Sequence, residues 1–170
     1  TTQTGINLDT RVGTGITPSR PRGTGLAYDP VHDRLFVSDG GNHRVLGFDV
    51  APDRLRSGMA ASVVLGQPDF TTSGRNSTPT GLYQPAALFY ESEQHRLFVA
   101  DGNNNRVLVF DAAPDRLANG ATPSVVIGQG DFDTFEAGRS RSAIDGPDGL
   151  AYDYANDRLL VSDHGSDRIL

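Results

Sequence analysis

The chain has 170 residues, no cysteine and a net charge of −6, and all 15 of its basic residues are arginine. These totals exclude a disulfide framework, a thiolate metal site and a thiol nucleophile, and an acidic balance does not fit nucleic-acid binding by phosphate neutralisation. No apolar run approaches the roughly 18 residues of a helical membrane span, while 20 Gly and 10 Pro set between regular apolar runs point to frequent turns.

One pattern organises the chain. Arg34, Arg96 and Arg158 recur at a 62-residue interval (96 − 34 and 158 − 96), and the residues around them recur in register. A fixed period is the signature of a repeat architecture. Within one period, Thr24 to Asp29 is a short apolar run that Pro30 ends, with counterparts at Ala87 to Glu91 and Gly149 to Asp153. Arg34 to Ser38 is a second strand. Leu35 and Val37 face one way and Phe36 the other, so both faces of the sheet are expected to be covered. A turn rich in Gly and Asn follows, suited to positive φ, and Arg44 to Asp49 is the third strand. Ala51-Pro52-Asp53-Arg54-Leu55, with its copy at Ala113 to Leu117, reads as a single helical turn in which Asp53 or Asp115 caps and the Arg is solvated. Ser62 to Gly66 and Ser124 to Gly128 are fourth strands.

Four antiparallel strands per period, apolar on both faces, make the blade of a β-propeller. The expected organisation is one all-β domain over 1–170 with blades at about 23–70, 85–132 and 147–170. Residues 1–8 fill the slot of a fourth strand in a preceding or closing blade, because Leu8-Asp9-Thr10 is similar to Phe132-Asp133-Thr134. Propellers close with ~4–8 blades, so about three leave apolar faces open. Because Thr1 is not Met and Leu170 falls within a strand, the missing cover is expected to be further blades of the same chain; other copies of the chain, in a ring or an open array, are the alternative.

The hairpin Val37-Ser38-Asp39-Gly40-Gly41-Asn42-His43-Arg44-Val45 through Phe48-Asp49 resembles the NHL repeat, whose pattern is V-x-D-x-x-N-x-R-V-x-x-F. Asp101, Asn104, Arg106, Val107 and Phe110 match in the second copy. The third matches at Asp163, Arg168 and Ile169 but carries Ser166 in place of Asn. The resemblance covers about residues 23–170 and implies a complete ring of six blades. It leaves function open, since the family includes protein- and RNA-binding domains, extracellular sensors and a few lyases with a metal on the propeller axis.

The repeated pairs Asp39 and Arg44, Asp101 and Arg106, and Asp163 and Arg168 are expected to be partly buried structural ion pairs; a ring of carboxylates around a cation, or an arginine anion site, is the sharper reading. No two of His32, His43, His95 and His164 share a register, so no histidine ring forms, and each is expected at the surface. Neither a catalytic constellation nor a phosphate loop is discernible, since Gly23-Thr24-Gly25 has no helix after it. The long connections from Thr71 to Gln84 and from Asp133 to Asp148 differ most between repeats, and loops on a rigid scaffold carry recognition. Tyr83, Phe135, Arg139 and Arg141 are their candidate contact residues, and Asn76-Ser77-Thr78 is a glycosylation sequon.

The expected function is therefore a non-enzymatic binding or scaffold propeller, extracellular or on the cell surface, that recognises a protein or glycan without cofactor, metal, nucleic acid or membrane span. The alternatives are a metal-dependent lyase or hydrolase with an axial site, and a self-assembling structural subunit.

Overall fold

The computed structural model describes residues 25–170; the strand expected over 1–8 and the start of the first blade lie outside them. The chain is all-β. Strands β1 (Leu26–Asp29), β2 (Arg34–Asp39), β3 (Arg44–Asp49) and β4 (Val63–Leu65) form one four-stranded antiparallel meander. A second is built from β5 (Pro85–Glu91), β6 (Arg96–Asp101), β7 (Arg106–Asp111) and β8 (Val125–Ile127). The third has three strands, β9 (Pro147–Asp153), β10 (Arg158–Asp163) and β11 (Arg168–Ile169). These are three propeller blades, open and not closed into a ring. The register repeats as the sequence does: Asp39 lies opposite Arg44, and Asp101 opposite Arg106.

Three local expectations are corrected. The first strands of the second and third blades begin at prolines, Pro85 and Pro147, two residues earlier than the apolar pattern indicates. The fourth strands are only three residues long. Gly66 ends the first at φ 84° and Gly128 the second at φ 92°, a region open to glycine. A Cβ on Gly66 would come within 2.5 Å of Leu82, and one on Gly128 within 2.6 Å of Ile144, so these glycines also admit the apolar plug that enters from the next loop. Lastly, the turn at Ala51 does form, with Leu55 N–H donating to the Ala51 carbonyl, but the capping acid is Asp49. Its carboxylate accepts from Ala51 N–H and pairs with Arg54. Asp111 does the same for Ala113 and Arg116. An Asx turn two residues upstream outcompetes a cap from Asp53, since its geometry closes on the backbone before the helical turn begins.

Each blade buries both faces where it has a neighbour. Ala27, Phe36, Val45 and Leu65 of the first blade pack on Leu88, Tyr90, Leu97 and Phe110 of the second. On the second blade's far face, Phe98, Val107 and Val109 pack on Leu150, Leu159 and Val161 of the third. Among the described residues, none covers the far face of the third blade in this way. Leu160 is 40% exposed and Ile169 67%, whereas the in-register Phe98 and Val107 are 4% and 0% exposed.

Candidate functional site

The turn between second and third strands is one 3-10 turn, at Gly40–Asn42, Gly102–Asn104 and His164–Ser166. The residue after it is left-handed although it is never glycine: His43, Asn105 and Asp167 have φ of 55°, 52° and 50°. That strained position turns the side chain across to the next blade. Asn105 Oδ1 accepts from Gly146 N–H at 2.9 Å, and His43 Nδ1 accepts from Gln84 N–H at 3.2 Å. Each is a latch on the entry to the following blade. His43 is half-buried and not the surface residue expected of it. Burial, and then the Arg75 charge, lower its pKa, with Asp39 and a hydrogen bond to Gly40 pulling the other way. His32 and His95 are also partly covered. His32 Nδ1 lies 2.9 Å from an Asp29 carboxylate oxygen, and His95 Nδ1 lies 2.9 Å from the Tyr90 hydroxyl. Only His164 is freely exposed, with 72% of its side chain open.

Behind the turn sits the repeated ion pair, more deeply than expected. Asp101 and Arg106 are both 0% exposed. The Asp101 carboxylate accepts from Tyr83 N–H, Asn104 Nδ2 and Arg106 Nε. Arg106 then donates to the carbonyls of Thr78 and Gly81 on the incoming loop and of Phe132 on the outgoing one. Filling the donors and acceptors of a buried pair in this way offsets part of its desolvation penalty. Burial pushes the Asp101 carboxyl up to about 6, while Arg106 and the amide donors pull it down. The pair thus pins the long loops to the blade. Asp163 and Arg168 repeat it, with Arg168 donating to the carbonyls of Arg139, Ser140 and Ala143. Among the described residues, no group of three or more His, Asp or Glu is placed to hold a metal ion.

The pinned loops enclose a cleft of about 460 Å³ between the first-to-second and second-to-third blade connections. Tyr83 and Phe135 line it together with Arg75 and the amides of Asn76, Asn103 and Asn104. The Arg75 guanidinium lies 5.5 Å above the Tyr83 ring centroid, and the His43 ring meets Tyr83 edge-on at 5.2 Å. Asn76, the sequon residue, is exposed, and its Oδ1 accepts from Thr78 N–H. Two sequence candidates, Tyr83 and Phe135, therefore meet in one site. Arg139 and Arg141 do not join them. Arg139 donates to the Gly165 carbonyl, and Arg141 borders a different hollow beside Ile144, Leu159 and Leu170. Sequence reasoning missed Arg75 and Asn103. Their signal is departure from the repeat, since Ala137 stands where Arg75 would recur, and Gly41 and Gly165 where Asn103 would.

No family model matches the chain, and no curated protein matches it. In fold it is similar to an auxiliary nutrient binding protein of Bacteroides ovatus, at 14% identity and a TM-score of 0.61 over 89% of this chain and 37% of that one. It is similar to a candidate phosphatase of Bacteroides thetaiotaomicron, at 14% identity and a TM-score of 0.60 over 91% and 35%. A protein of Lactobacillus plantarum aligns at 18% identity and a TM-score of 0.51 over 85% and 35%. The chain spans little more than a third of the length of each of these structures, and at such identities the likeness is one of fold.

Proposed function

We propose that this chain is a non-enzymatic binding module, a section of an NHL-type propeller in a secreted or cell-surface protein, which holds a protein or glycan on the face formed by its long loops. The observation that carries this reading is the cleft itself. Two aromatic side chains and three amides converge in it, on loops fixed from behind by buried ion pairs, and concave sites with aromatic walls and a few oriented polar groups are where ligands bind. The nutrient-binding function named for the Bacteroides ovatus protein is consistent with a binding role. The V-x-D-x-x-N-x-R-V hairpin supports the NHL assignment, and the open far face of the third blade supports a further blade beside it.

Screening the chain on glycan and peptide arrays beside Phe135→Ala tests the reading. Phe135 is 45% exposed, so its loss leaves the fold intact while it removes one wall of the cleft. Ligands captured by the parent chain and lost by the variant are the expected outcome. An unchanged set of captured ligands would move the binding surface elsewhere.

A further inference from the structure

We infer that the cleft takes an acidic saccharide, with a uronate carboxylate seated on Arg75; this rests on the proposed binding role and narrows it to one ligand chemistry. The lining has an unusual charge balance for a chain of net charge −6. Among the described residues it contains one cation, Arg75, and no carboxylate. Arg75 is also held in place before any ligand arrives. One of its terminal nitrogens lies 3.4 Å from the Tyr83 hydroxyl, and its guanidinium carbon sits over the Tyr83 ring. Among the described residues, its other nitrogens donate to no protein acceptor. A pre-placed planar fork of N–H groups matches a carboxylate in two-point contact and loses little freedom in making it.

The remaining lining fits the rest of a sugar. Phe135 offers an exposed apolar ring to the C–H face of a pyranose, while its own backbone carbonyl is tied down by Asn105 Nδ2. The amides present both hydrogen-bonding senses to ring hydroxyls. Asn103 uses its Nδ2 on Gln84, leaving Oδ1 as an acceptor, and Asn76 uses its Oδ1 on Thr78, leaving Nδ2 as a donor. A neutral sugar would satisfy the aromatic wall and the amides but would leave the guanidinium unanswered.

Calorimetric titration with oligogalacturonate and with its methyl ester tests this, because the two share a backbone and differ in the free carboxylate. The parent chain should bind the acid at least about tenfold more tightly than the ester, the scale of one charge-assisted pair. Arg75→Gln should erase that preference. Phe135→Ala should weaken both ligands, and Arg139→Gln, outside the cleft, should change neither. Equal affinity for acid and ester, or an Arg75→Gln variant that keeps the preference, overturns the acidic-saccharide assignment; loss on Phe135→Ala in the same data would leave the binding face standing. Binding untouched by Phe135→Ala overturns both. Failure of the acid to bind overturns the assignment, while array capture still reports on the face.

Discussion

The second and third blades carry the same hairpin, and the difference between them lies in what surrounds it. In the second blade Arg106 is fully buried; in the third the equivalent Arg168 is 26% exposed. Asn104 of the second blade donates to Asp101, but Ser166 of the third is too short for the same task, and its buried hydroxyl has no hydrogen-bond partner among the described residues. A repeated motif therefore specifies a geometry, while its energetic weight is set by the neighbour packed against it.

Removing the arginine from each blade should break the comparison most severely. Arg106→Ala strands a buried carboxylate and should cost about 3–5 kcal/mol. Arg168→Ala leaves Asp163 reachable by water and should cost about 1–3 kcal/mol. Urea denaturation of the two variants checks the ratio, and equal losses would mean that burial does not govern the pair.

The first blade varies the scheme chemically, with a titratable latch where the second has Asn105. The folded-state pKa of His43 lies below the ordinary histidine value, because burial and Arg75 disfavour its charge. The neutral ring is the one that accepts from Gln84. The latch thus contributes fully above the ordinary value, and its contribution is lost as pH falls through the lowered one. His43→Asn keeps an acceptor without a titration. Relative to the parent it should gain about 0.5–1.5 kcal/mol on acidification, the worth of one hydrogen bond, read as the difference between the two stability–pH curves. Parallel curves would deny the latch its proton.

The smallest effect is expected from Ser166→Asn, which restores to the third blade the amide that the second already has. A gain of at most about 1 kcal/mol in thermal unfolding is expected. A loss would show that the third turn cannot accommodate the longer side chain.

The strand scaffold is legible because it depends on local alternation and on a period, both of which a single sequence displays. Phe36 between Leu35 and Val37 is enough to predict two buried faces. The cleft is only half legible. Tyr83 and Phe135 stand out by size in variable loops, but whether Phe135 or Arg141 turns toward Tyr83 depends on which carbonyls Arg106 and Arg168 capture, and that is fixed across some 25 to 29 residues of chain. His43 escapes a sequence reading for a related reason. Its partner, the Gln84 amide, lies 41 residues away, and no local pattern announces a contact at that distance. Asp49 is hidden as a cap because Asp53 offers the same chemistry closer to the turn.

The exposed Leu160 and Ile169 mark one apolar end of the stack of sheets. At the opposite extremity the first blade covers its inner strands, with Val37, Leu46, Phe48 and Val64 all at or below 1% exposure, but its first strand leaves Leu26 61% and Tyr28 50% exposed where the in-register Leu88 and Tyr90 are 6%. Among the described residues, apolar adhesion is therefore available at both extremities, so a further sheet can be added at either, as a row of bricks is extended from both ends, and a detergent or a crowded solution would act first on those two faces.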